Sequence, residues 1–192
     1  RTYTEALNKA IRAGEFGFLG LEDLPSIPDD EILRMTKTLH PRRIFAAYTR
    51  LVRGGRRELA ALQADTMYDP WFLHEMAELA ALEHRLRSED MDDELLMQAK
   101  RAGLSDLRIA RLRRTTEEEV FEMRQQAGIH AGYHFVDTCS GEFAADTPYF
   151  YSTYGEIDEG GQASHPAVMI LASGPNRIGQ GLEFDTCCTL SS

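Results

Sequence analysis

The chain has 192 residues, of which 43% are apolar and 27% charged, with a formal net charge of −10. That composition carries enough apolar weight for a buried core and suits one domain of ordinary size plus a fragment, or two small domains. The acidity argues against a general binder of nucleic acid or of anionic membrane, and no run of about 18 apolar residues offers a membrane span.

The first 129 residues read as a series of short helices. Thr2, Tyr3, Thr4 and Glu5 form a capping box, and Ala6, Leu7, Ala10 and Ile11 then share one apolar face. Residues 14–25 are a glycine-rich connection. A second helix opens over residues 26–29 with Pro28 near its first turn, and Ile32, Leu33, Thr36 and Leu39 follow at helical spacing. Pro41 starts a third, RRIFAAYTRLVR, which the pair Gly54 and Gly55 ends. A shorter piece covers RELAALQ. Asp69 and Pro70 cap the longest segment, WFLHEMAELAALEHRL, where Phe72, Met76, Leu79, Ala80 and Leu86 form a wide stripe. DDELLMQAKRA, SDLRIARLRR and TEEEVFEMRQQA complete the helices.

From Ile129 the 3.6 period disappears. IHAGYHFVDTCSGEFAADTPYFYSTYG is rich in aromatics, Thr and Gly and reads as extended chain. EIDEGGQASHP is a linker by its composition, and AVMILA then reads as a strand that feeds the glycine loop SGPNRIGQGLEFD. The acidity is concentrated here: from residue 130 onward eight carboxylates face a single base, Arg177. There is no internal repeat and no low-complexity tract. No basic stretch followed by an apolar one opens the chain, so no secretory signal is expected, and the opening Arg1 is expected to lie within something longer.

Few constellations carry chemistry. Residues 99–128 resemble a helix-turn-helix, but the helix that would enter the groove carries Glu117, Glu118, Glu119 and Glu122 against Arg124 alone, and phosphates would repel it. Those acids suit the helix N-terminus instead. His130 and His134 are four apart in a segment that is not helical, and no zinc spacing is present. The three cysteines, Cys139 and the adjacent Cys187 and Cys188, make a poor disulfide framework and fit reduced thiols in a cytoplasmic protein. Ser140 near Glu142 lacks a base partner. The glycine loop is neither a Walker A loop nor GxGxxG. Gly174, Gly179 and Gly181 require only a sharp turn or a close approach, and a ligand crevice and a structural turn are equally open.

The strings are more specific than their parts. ASGPNRIGQGLEFDTCC resembles the segment that opens the second half of the large chain of carbamoyl phosphate synthetase, and VDTCSGEFAADTPYFYSTYG resembles the stretch leading into it. DPWFLHEMAELAALE is similar to a helix of that family's oligomerisation domain, and RTYTEALNKAIRAGEFG to the end of its first ATP-grasp unit. The four blocks occur in the family's order. The resemblance implies a mainly α chain. Residues 1–17 would be the tail of the first half, and residues 18–159 an irregular bundle of short helices closed by an extended segment. Residues 160–166 would be a linker, and residues 167–192 the first strand and loop of a truncated α/β domain.

The same resemblance implies a function. The family makes carbamoyl phosphate from bicarbonate, glutamine-derived ammonia and two ATP, with Mg or Mn, and carbamate passes between its two ATP-grasp units through an internal tunnel. No ATP-grasp core lies in this chain, so no catalytic, nucleotide or metal ligand is carried over to it. The glycine loop is carried over, with Arg177, Gly181 and Glu183 lining the tunnel and Gly174 and Gly179 setting the loop's geometry. Expected partners are a second copy through the helical domain, the remainder of the large chain, and the small glutaminase chain; nucleic acid and membrane are not expected. The sequence departs from the family at Thr186, usually Tyr, at Ala172, usually Gly, and at Gly155, usually an acid. The competing readings are an independent helical protein- or DNA-binding module and a self-contained nucleotide-binding enzyme. Chain length and the missing phosphate motif oppose the enzyme.

Overall fold

The computed structural model describes residues 2–144, 149–155, 157–161, 166, 168–170 and 190. Helix starts are set by short polar side chains that accept otherwise unpaired backbone N–H groups. Thr2 accepts from Glu5 N–H at 3.1 Å and begins α1 (Tyr3–Ala13). Pro28 precedes α2 (Asp29–Lys37), and α3 (Arg43–Gly54) ends where Gly55 takes φ +65°. A 3-10 turn over Gly55–Glu58 leads into α4 (Leu59–Thr66). Asp69 accepts from Trp71 N–H at 2.8 Å and starts α5 (Pro70–Ser88), with Pro70 in the first turn. Asp92, Ser105 and Thr116 cap α6 (Asp93–Arg101), α7 (Asp106–Arg113) and α8 (Glu117–Gln126). The box at α8 is complete, because Glu119 also accepts from Thr116 N–H at 3.1 Å. At α1 only half the expected box forms: Glu5 turns away to Lys9 and Thr153.

The core is organised around α5, whose Leu73, Met76, Ala77, Leu79, Ala80 and Leu86 are buried. It packs against α1, α3, α4, α6 and α7, with Phe45, Tyr48 and Leu51 of α3 and Ile109 and Leu112 of α7 completing the apolar interior. The expected stripe of α5 holds at four of its five positions, and Phe72 is half-exposed while Leu73 is buried in its place. Two other expected faces differ. In α2 the buried residues are Ile32, Met35 and Thr36, whereas Leu33 faces solvent and Leu39 lies exposed beyond the helix's end. In α1 the buried residues are Thr4, Glu5, Asn8 and Ile11, and Ala10 is exposed. The reason is what α1 meets. It lies against the backbone of the loop after it and the end of α6, and these need polar partners. Asn8 accepts from Leu21 N–H at 2.7 Å and donates to the Ala102 carbonyl at 2.9 Å. Arg12 donates to the carbonyls of Leu19 and Gly103.

After α8 the chain forms an antiparallel hairpin, β1 (Gly132–Phe135) with β2 (Phe150–Thr153), in the register Gly132 to Thr153 and Phe135 to Phe150. Opposed rings pair across it, His134 on Tyr151 at 5.5 Å and Phe135 on Phe150 at 4.3 Å. The hairpin is tied back to α1, with Thr153 donating to Glu5 at 2.8 Å and Lys9 donating to the Ser152 carbonyl. Tyr154 then lies over Lys100, and Glu159 N–H donates to the Tyr133 carbonyl on the outer edge of β1. Of the expected strand at residues 167–172, Val168, Met169 and Ile170 are described, and they belong to no helix or ladder. No helix among the described residues is long and apolar enough to cross a membrane.

One glycine sets how closely α1 and α6 approach. Gly103 ends α6 at φ +83°, and a Cβ there would stand 2.7 Å from the Glu5 Cα. Gly103→Ala is expected to cost more than about 1 kcal/mol and to lower Tm by at least about 2 °C, read by thermal circular dichroism.

Candidate functional site

The residues singled out in the glycine loop, Arg177, Gly181 and Glu183 with Gly174 and Gly179, lie outside the described residues, as do Cys187 and Cys188. His130 is exposed and His134 sits 3.3 Å from Glu159, and no three His, Cys, Asp or Glu converge as metal ligands among the described residues. The helix that would read DNA, α8, presents Glu117, Glu118, Glu119 and Glu122 to solvent.

What the described residues do build is a charged cluster inside the helical body. Glu83 lies on the buried face of α5, with no side-chain exposure. Arg108 of α7 grips it with two bonds, Nε to Oε1 at 2.9 Å and Nη2 to Oε2 at 2.9 Å. A third bond runs from Arg108 Nη1 to Glu22 at 3.0 Å, which brings in the loop before α2. Arg87 adds a contact to Glu83 at 3.3 Å and one to Asp23 at 3.6 Å. Burial pushes the Glu83 carboxyl up, and Arg108 and Arg87 oppose that rise. A second cluster joins the next three helices: Lys100 donates to the Leu104 carbonyl at 2.8 Å and to Asp106 at 2.6 Å, and Arg124 meets Asp106 at 3.2 Å. Burial lowers Lys100, and Asp106 works against that.

On the surface, the start of α5 carries an aromatic face. Tyr3, Trp71 and Phe72 place their rings 5.0 to 5.4 Å apart, mutually tilted or edge-on. Trp71 is 53% exposed, Phe72 41%, and Met67, in the left-handed cap of α4, 84%. Beside them Tyr3, Ile44, Met67, Tyr68, Asp69, Phe72 and Met76 enclose a cleft of about 370 Å³ with one charged group. The helix that resembles one of the family's oligomerisation domain therefore does two things: one face along its length is core, and its first turn presents exposed aromatic side chains. Glu83 and Arg108 were not singled out from sequence. The signal was available, since Glu83 interrupts the stripe between Ala80 and Leu86 and a buried acid needs a partner.

The sequence is matched by known proteins. Residues 1–128 match the family model described as carbamoyl-phosphate synthetase large chain, oligomerisation domain. The chain is 43% identical to a carbamoyl phosphate synthase large chain of Nostoc sp., over 98% of this chain and 17% of that one. It is 42% identical to the large chain of Streptomyces avermitilis, over 100% of this chain and 17% of the relative. For Archaeoglobus fulgidus the identity is 39%, over 98% and 18%. The chain thus spans less than a fifth of the length of these curated relatives.

The buried pair gives a test. Arg108→Met leaves Glu83 buried beside Arg87 alone and is expected to cost about 3–5 kcal/mol, whereas Glu83→Leu combined with Arg108→Met should recover most of that. Without Arg108 the Glu83 carboxyl rises further above its unfolded value, so the folded state holds the proton longer and stability falls as pH rises between those values. The single variant should therefore be more stable at about pH 5 than at about pH 7 in urea titrations.

Proposed function

This chain belongs to the family of the carbamoyl-phosphate synthetase large chain, oligomerisation domain, and from that premise we propose that it is a non-catalytic scaffold that holds copies of a larger ligase together. The observation that carries this reading is the open aromatic face at the start of α5. Trp71, Phe72 and Met67 expose apolar surface around a cleft with a single carboxylate, Asp69. Large aromatic side chains that are already held rigid by one another lose little entropy when a partner covers them, which is the character of an association face. The buried face of α5 is complete without these residues, which touch the body through Tyr3 of α1 and leave much of their surface open.

The parent would make carbamoyl phosphate from bicarbonate, ammonia released from glutamine by a small chain, and two ATP, serving arginine and pyrimidine synthesis in the cytoplasm. Relatives named carbamoyl phosphate synthase large chain support that reading. ATP and its Mg or Mn would be held by other parts of the large chain, and no described residue takes a chemical step. Residues 1–17 would close the first half and residues 167–192 open the second, with the helical body between. Arg177, Gly181 and Glu183 would line the carbamate passage in the glycine loop. A glycine at 181 leaves room for a small planar ion, and charged neighbours orient it and its water.

Two measurements test these assignments. Sedimentation equilibrium of the chain should show concentration-dependent self-association, and Trp71→Ala with Met67→Lys should weaken it by about 2 kcal/mol, roughly thirtyfold. A monomer at every concentration, or a variant that associates as well as the parent chain, contradicts the assigned face. In the full-length enzyme, Gly181→Phe should leave bicarbonate-dependent ATP hydrolysis running while carbamoyl phosphate output falls at least about tenfold; equal loss of both would refute the passage role.

A further inference from the structure

A different surface carries an inference that does not depend on that reading. Asp23, Pro25, Arg87, Arg108, Arg111, Leu112, Arg113 and Arg114 line a cavity of about 560 Å³ between the loop before α2, the end of α5 and the end of α7. Five guanidinium groups share it in a chain of net charge −10. We propose that this cavity is a binding site for a phosphate-class oxyanion, either free or as the phosphoryl group of a small molecule.

The charges show why. Arg108 and Arg87 are balanced by Glu83, Glu22 and Asp23. Arg113 gives Nη1 to the carbonyls of Leu86 and Glu89, which hold its charge in place without cancelling it. The side chains of Arg111 and Arg114 have no hydrogen-bond or ion-pair partner among the described residues. Three uncompensated cations therefore stand over one cavity whose lining holds a single carboxylate, Asp23, already shared by Arg87 and Arg108. Basic residues at a helix C-terminus offset its dipole, but that effect is confined to the last turn and is satisfied by one or two charges. Arg111, Arg113 and Arg114 place three charges at the end of α7, and Arg87 at the end of α5 turns a fourth onto the same cavity, which exceeds what one dipole requires. Mutual repulsion among the free guanidiniums is relieved by an anion that accepts several N–H groups at once, and planar forks match phosphate oxygens in that geometry. The apolar walls of Leu112 and Pro25 reduce the water available to screen the contact.

Isothermal titration of the chain with inorganic pyrophosphate, at an ionic strength held constant with sodium chloride, is expected to give saturable binding. In Arg111→Gln with Arg114→Gly the dissociation constant should rise roughly tenfold or more. Arg114 has φ +58°, which glycine tolerates, and both side chains are exposed, so the unliganded Tm should hold. Arg111→Gln alone, on an exposed helical position, should show the same loss in smaller measure. Inorganic phosphate and glycerol phosphate run in parallel distinguish a free oxyanion from a phosphoryl group, and saturable binding of either supports the site. Absence of saturable heat with all three, or variants that bind as the parent chain does, overturns it.

Discussion

The buried bond between Glu83 and Arg108 constrains everything around it. A carboxylate with no solvent exposure is tolerated in a protein interior only when it is paired and its lone pairs are filled. Meeting that condition fixes three elements at once. α5 supplies Glu83, α7 supplies Arg108, and the loop before α2 is drawn in because Arg108 has a further N–H to give and Glu22 takes it. The apolar side chains of α3, α5 and α7 pack around these matched charges. Tyr48, fully buried nearby with a hydroxyl lacking a partner among the described residues, shows how tightly the apolar packing closes over the cluster.

The same logic governs the periphery. α1 is anchored through Asn8 and Arg12, which satisfy carbonyls and amides that the ends of α6 and the loop of residues 14–25 leave open. Glu5 is shared between Lys9 of its own helix and Thr153 of the hairpin. Residues 2–13 and 150–154 therefore meet at one face of the body. On the proposed placement between two catalytic halves, such a contact would hold the segments leading from one to the other in a fixed relation. Arg113 belongs to both worlds, since it ties α7 to the end of α5 while facing the basic cavity.

Much of this was legible along the chain. Asp69 with Pro70, Thr116 with Glu119, and the glycines after α3, α6 and α8 mark helix ends by local chemistry, which needs no tertiary partner to operate. The loss of helical period after Ile129 anticipates the hairpin. The faces were less legible. Leu33 has helical spacing yet faces solvent, and Asn8 is buried without any apolar signal, because burial depends on what lies opposite; Leu39 continues the spacing but falls after α2 has ended. For the glycine loop the family resemblance gave specific residues, and they lie outside the described part of the structure.

The amino-acid sequence by itself determined the helical class, the element order and the family, since caps, periodicity and long specific strings are local properties of the chain. Only the tertiary structure decided that Glu83 finds Arg108 across 25 positions, that Trp71 and Phe72 remain open while Leu73 is core, and that five arginines from two helices share one cavity. Those outcomes depend on distances between residues far apart in the chain, and a pattern along one dimension carries no measure of them.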